Sequence, residues 1–204
     1  MDKTGKWAFD KSFEDALSFW DGLAAVKTAG KWGYIDHRGE FVIKPIYQYA
    51  RAFKDGLARV EIGGKWGFID RHGKFVIQPI YESLWAFHEG LASVRFDGKY
   101  GYLDKTGKLA IKPVSDESTD FSDGLAFQTI DGKTYCIDKI GKVVFKTPYK
   151  WAHEFREGLA PVLVGDTKTG SMGYIDKTGK LVIQPVFQSG YYFKEGLAPV
   201  VIRK

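Results

Sequence analysis

Apolar and polar positions alternate along the chain in short runs, and the runs recur in one order. After Gly56, Ala58, Val60 and Ile62 alternate with Arg59 and Glu61, a period of two that predicts a half-buried strand. The same face reads Ala92, Val94, Phe96 one segment later and Ala160, Val162, Val164 further on. Gly63-Gly64, Asp97-Gly98 or Asp131-Gly132 follows, a two-residue hairpin signal because both residues tolerate positive φ. The second run places Trp66 and Phe68 on one face and Ile69 on the other; its equivalents are Trp32 and Tyr34 opposite Ile35, and Tyr100 and Tyr102 opposite Leu103. The third run, such as Phe75-Val76-Ile77 or Leu181-Val182-Ile183, is apolar on both faces. Pro45, Pro79, Pro113 and Pro185 are expected to end it, since proline has no amide for the ladder.

Between the second and third runs lies an Asp-x-x-Gly turn, from Asp36, Asp70, Asp104, Asp138 and Asp176. Its aspartate can accept backbone amides two residues on. About ten residues then cross to the next first run, with a phenylalanine near the end (Phe19, Phe53, Phe87, Phe121, Phe155, Phe193) and an acid before the following glycine. This segment is predicted as a turn of helix or a short fourth strand. Strands apolar on both faces need partners on both sides, so the sheets of successive segments are expected to stack face to face.

The period is explicit in Gly-Leu-Ala, which starts at Gly22, Gly56, Gly90, Gly124, Gly158 and Gly196, in steps of 34 and a last step of 38. The longer step reflects a four-residue insertion in the loop Gly165 to Gly170. A fixed period in this range marks a repeat array in which neighbours stabilise one another. The expected fold is all-β, a propeller-like ring or arc, with an open β-solenoid as the alternative. The expected organisation is one array over 1–204, with repeats at 2–21 (partial), 22–55, 56–89, 90–123, 124–157, 158–195 and 196–204 (partial). Asp2 is in phase with Asp36 and Lys204 with Gly30, as expected of a segment of a longer array. The fourth repeat departs most: Thr134-Tyr135-Cys136 stands for Trp-Gly-Tyr and Thr147 for the proline, which predicts looser packing around Thr134.

Gly30-Lys31-Trp32-Gly33-Tyr34-Ile35-Asp36 and Gly64-Lys65-Trp66-Gly67-Phe68-Ile69-Asp70 resemble the WG repeat family, and the resemblance extends over essentially the whole chain. It implies a β-rich, non-catalytic module of the kind found in many bacterial proteins. The resemblance carries no general activity, cofactor or site.

Composition narrows the remaining classes. Apolar residues make up 44% of the chain and aromatic ones 16%, enough for a substantial core. No run approaches the eighteen or so apolar residues of a membrane-spanning helix, and no signal peptide is visible in this segment, which fits either a cytoplasmic chain or an exported longer one. The lone Cys136 leaves no intrachain disulfide or cysteine-rich metal site. The net charge of +5 comes largely from turn lysines such as Lys31, Lys65 and Lys99. Solvated hairpin tips account for these better than a nucleic-acid surface, which stays as the least favoured binding alternative. His37, His72, His88 and His153 fall into no ligand spacing, and no nucleophile elbow or phosphate loop occurs. An enzyme, a metal site and a cofactor are therefore not expected.

In an array, recurring residues build the frame and non-recurring ones are free to bind. The aromatics that do not recur are Trp20, Tyr49, Trp85, Trp151, Tyr191 and Tyr192, all in crossing segments. They are the candidate binding residues, with a protein partner expected first and a glycan or cell-wall polymer as the alternative. The oligomeric state has no signal in the sequence.

Overall fold

The structure, a computed structural model, describes residues 3–149, 151–166 and 169–202. The phase read at Asp2 and Lys204 and the centre of the inserted loop (167–168) lie outside the described residues. No helix occurs among those residues, so the crossing segment is a short strand and a turn. Five four-stranded antiparallel sheets follow one another along the chain. The first contains Asp15–Ala16, Ala24–Thr28, Lys31–Ile35 and Phe41–Tyr47, and the second Tyr49–Ala50, Ala58–Ile62, Lys65–Ile69 and Phe75–Tyr81. The third contains Ser83–His88, Leu91–Phe96, Lys99–Asp104 and Leu109–Ser115, and the fourth Glu117–Ser118, Leu125–Ile130, Lys133–Asp138 and Val143–Thr147. The fifth has Leu159–Val164, Ser171–Asp176 and Leu181–Gly190, with Val200–Ile202 paired to the tail of the last. Contacts divide the chain into two compact units, Met1–Trp85 and Ala86–Lys204.

The proline does not end its strand, contrary to expectation. In the third sheet Tyr100 pairs with Ser115 and Tyr102 with Ile111, so three residues bulge out opposite Gly101. Pro113 sits in that bulge, where no ladder amide is required. The bulge is also why the second strand carries glycine. A Cβ on Gly101 would lie 2.6 Å from the carbonyl oxygen of Ile111 and 2.7 Å from the nitrogen of Pro113. Gly33, Gly67 and Gly173 meet the same obstruction from Ile43, Ile77 and Ile183. Glycine of the Trp-Gly pair is thus selected by close approach of a neighbouring backbone, without an unusual φ.

The third run is buried on one face, not both. Val42, Val76, Val144 and Val182 are exposed, while Ile43, Ile77 and Ile111 are buried. This strand comes last in the order of the first four sheets, and the turn of the next repeat covers only its inner face. Gly73 packs on Ile43, Gly141 on Ile111 and Gly179 on Phe145. Strands of the second run are buried on both faces as expected, with Tyr34, Tyr102, Ile35 and Leu103 nearly inaccessible.

Two devices join each sheet to the segment that follows it. Tyr34 Oη donates to the carbonyl of Arg51, Tyr102 Oη to Thr119 and Tyr174 Oη to Tyr191, at 2.8, 2.6 and 2.9 Å. Each tyrosine also packs edge-on against the phenylalanine that closes the crossing segment, Phe53, Phe121 or Phe193. The second device uses the acid that precedes Gly-Leu-Ala. Asp123, at φ 54°, accepts the amide of Gly158 in the equivalent turn one period on at 2.7 Å, and Lys177 Nζ donates to the Asp123 carbonyl at 2.8 Å. Asp21 takes Gly56 in the same way, Glu89 takes Gly124 and Lys139, and Glu157 takes Gly196.

Candidate functional site

The Asp-x-x-Gly aspartates cap their own turns. Asp104 Oδ1 accepts the amides of Thr106 and Lys108 and the hydroxyl of Thr106. These bonds, the hydroxyl first, hold its carboxyl below the ordinary range. Asp176 is lowered in the same manner through Thr178, and Asp36 chiefly by the backbone amide of Glu40. Cys136 is fully buried and burial pushes its thiol up to about 12, so it is not poised as a nucleophile. Among the described residues no three His, Cys, Asp or Glu side chains converge as metal ligands, and no helix is long and apolar enough to cross a membrane.

The crossing segment from residue 151 adds a short strand to the edge of the fifth sheet. His153 N–H donates to the carbonyl of Pro161, Leu163 N–H to that of Trp151, and Ala152 bridges Val162 between them. Alternation along this strand turns Ala152 into the core and leaves Trp151 and His153 on the opposite face. The next crossing segment repeats the arrangement with Gly190 inward, where a Cβ would lie 2.6 Å from Tyr174 Oη. The following residue, Tyr191, is 58% exposed.

Together these segments frame a cavity of about 580 Å³ lined by Trp151, His153, Leu163, Met172, Tyr191 and Tyr192, among others. Trp151 lies edge to face with His153 at 3.9 Å between ring centroids, and His153 with Tyr192 at 5.4 Å. Tyr192 Oη donates to Glu154 Oε2 at 2.6 Å and lies 3.2 Å from His153 Nδ1, while the Arg156 guanidinium stands 4.9 Å over its ring. Tyr192 has one proton, and giving it to Glu154 makes His153 the Nδ1–H donor to Tyr192 Oη, leaving Nε2 as an acceptor. Burial lowers the His153 pKa against a smaller opposing pull from Glu154, which keeps the ring neutral near pH 7. Burial, then Glu154, raises that of Tyr192. The result is an aromatic hollow with directional polar groups and no nucleophile paired to a base.

Of the six candidate aromatics, this cavity gathers Trp151, Tyr191 and Tyr192. Trp20 lies in the other compact unit, in a tight turn paired with Leu23, and is 60% exposed. Tyr49, also exposed, lies 6.2 Å from the Trp66 ring, and Trp85 is 38% exposed. His153, Glu154 and Met172 belong to the site without having been singled out. His153 had a signal, since it follows Trp151 at the spacing that shares one strand face.

Six matches to a model described as WG containing repeat cover residues 1–32, 32–66, 66–100, 100–133, 136–167 and 172–204. The sequence matches no curated protein. Among solved structures the fold is similar to a eukaryotic initiation factor, with a TM-score of 0.56, 11% identity, and coverage of 87% of this chain and 57% of that one. It is also similar to Kluyveromyces lactis Hsv2, with a TM-score of 0.50, 12% identity, and coverage of 79% and 58%. The chain thus spans less than two thirds of either neighbour, and at these identities the likeness is one of fold, which is propeller-like.

Proposed function

The chain belongs to the WG-containing repeat family, and on that premise we propose that it is a non-catalytic binding module whose partner is a protein, held at the hollow of Trp151, Tyr191 and Tyr192. The observation that carries this reading is the cavity itself. Three of the candidate aromatics, from two consecutive crossing segments, meet around about 580 Å³, room for a large apolar side chain of a partner. Aromatic anchors beside a partly satisfied polar group are the usual centre of a protein interface. The recurring residues hold the frame that presents them.

One feature favours a second reading. A neutral histidine with a free acceptor beside aromatic faces also suits a sugar ring, which offers hydroxyl donors and an apolar face. A pull-down from lysate and envelope fractions with wild type beside Trp151→Ala/Tyr191→Ala tests both. The expected outcome is a protein captured by wild type and lost by the variant, with circular dichroism unchanged. Retention of that protein by the variant contradicts the site, and capture of glycan in place of protein transfers the site to the second reading.

A further inference from the structure

The fourth sheet departs from the others along a line that crosses it from edge to edge. In the first, second, third and fifth sheets a buried valine of the second run's partner strand, Val26, Val60, Val94 or Val162, stands opposite Gly33, Gly67, Gly101 or Gly173. The corresponding pair in the fourth sheet is Gln128 and Tyr135, and the row continues to Ser118 on one side and Lys146 on the other. A cavity of about 440 Å³ lies against this row. Its lining includes Gln128 and Tyr135 together with Ile111, Lys112 and Val114 of the third sheet.

Ile140 lines the same cavity. It is 80% exposed at the tip of the Asp-x-x-Gly turn, where the other repeats carry Arg38, His72, Thr106 and Thr178. Three substitutions peculiar to one repeat therefore meet at one place, which is the pattern expected of a binding site carried on a repeating frame. Gln128 is 4% exposed, and its Nε2 has no hydrogen-bond partner among the described residues. A buried amide left unpaired is costly to the fold and is rare without a reason. The rest of the lining is mainly aliphatic, with Lys112 as a cation and no carboxylate.

We propose that this cavity binds a small amphipathic carboxylic acid. Its apolar tail lies along Ile111, Val114 and Ile140, and its carboxylate accepts hydrogen bonds from Gln128 Nε2 and the Lys112 ammonium. The chemistry follows from the lining: aliphatic walls take the tail, and a buried donor with an unopposed cation takes the anion. This site is separate in its residues from the aromatic hollow and stands whether or not that hollow binds a protein.

Calorimetric titration of the whole chain with octanoate, octanol and octylamine tests it. Octanoate is expected to bind one site with a Kd of roughly 0.1–1 mM, as suits a ligand of about ten heavy atoms. Octanol and octylamine should bind at least about tenfold more weakly, for loss of the charge-assisted bonds. Gln128→Val, the residue of the other repeats, should weaken octanoate about tenfold, and Trp151→Ala should leave it unchanged. Ile140→Thr, at an exposed turn that tolerates the change in repeats three and five, should weaken it a few-fold even if Gln128→Val fails to fold. In an amide NMR spectrum octanoate should shift the Gln128 side-chain resonances. Octanol binding as well as octanoate, unshifted Gln128 resonances at saturation, or the absence of saturable binding would each overturn the proposal.

Discussion

In the third sheet Gly101 faces a strand that bulges by two extra residues around Pro113; in the fourth, Tyr135 takes that place and the strands run residue for residue. Thr134 pairs with Thr147, Tyr135 with Lys146 and Cys136 with Phe145. The loss of glycine and the loss of the bulge are one change, since a side chain at this position is compatible only with a partner strand that stays in the ladder. Thr147, at the position of Pro113, restores the amide that a regular strand uses. A second irregularity, between the next two pairs, persists in both sheets. The core is rearranged to match. Cys136 replaces a tyrosine, and opposite it Phe127 stands where the third sheet has Ser93. Phe127 stacks on Phe155 at 5.4 Å, doing from the neighbouring strand what Tyr102 does on Phe121.

A repeat tolerates change in compensating sets. What the fourth sheet does not recover is the tyrosine hydroxyl. Tyr102 ties down the carbonyl of Thr119 and Tyr174 that of Tyr191, but Cys136 has no group to reach residue 153. The segment bearing Trp151 and His153 is thus joined to the frame without that bond, and it is one of the two that shape the aromatic hollow.

The largest effect should come from Gly101→Ala. It removes no contact, yet its Cβ would strike backbone at 2.6 Å, and forced strand movement costs about 3 kcal/mol. Tyr135→Ala, which deletes a half-buried ring, should cost less, about 1–2 kcal/mol; denaturant midpoints of the two variants check the order. Next come Glu89→Ala and Asp123→Ala, which accept equivalent amides, that of Gly124 at 3.1 Å and that of Gly158 at 2.7 Å. Each loses a charge-assisted bond and keeps a strained left-handed φ, so each should cost about 1–2 kcal/mol and the two should agree closely. A large difference between them in chemical denaturation would mean that the fourth repeat is weakened at its junction too.

The smallest effect concerns Thr106, where the fourth repeat has Ile140. Thr106→Ala removes the hydroxyl bond that is the leading cause of the lowered Asp104 pKa. The Asp104 titration midpoint, followed by NMR, should therefore rise. A carboxylate with a lowered folded pKa stabilises the fold above the ordinary carboxylate range of about 4, and that contribution fades as pH falls through the folded value. Thr106→Ala should accordingly flatten the acid limb of the stability profile slightly. An unmoved midpoint would assign the lowering to the backbone amides alone.

Much of this frame was legible in the sequence because it is periodic. Strands, turns and the capping role of Asp104 follow from alternation and from turn chemistry repeated five times. The expectation of buried third runs failed because a single unit's pattern shows which residues are apolar and not which strand lies at the edge, where Val42 and Val144 face solvent. The strand through Pro113 was missed because a bulge is a property of two strands, and Gly101 belongs to the other one. Looser packing around Thr134 is what the loss of its neighbours predicts from one strand alone, whereas Phe127 fills the space from a different strand, with Thr134 5% exposed and Cys136 0%. For the site, non-recurrence singled out Trp151, Tyr191 and Tyr192, but it could not separate them from Trp20 or Tyr49. That distinction needs the geometry of two crossing segments at once. The same criterion applied to polar residues would have found Gln128, the one position where a strand valine becomes an amide.

The coupling between glycine and bulge is tested most directly by a double-mutant cycle on Gly101→Ala and Pro113→Thr, read from denaturant unfolding. If the bulge is what excludes a side chain, Pro113→Thr alone should cost little, and in its presence Gly101→Ala should lose much of its penalty, a coupling of about 1 kcal/mol or more. Strictly additive costs would overturn that coupling, for they would mean that the third strand cannot straighten to accept a side chain as the fourth sheet does.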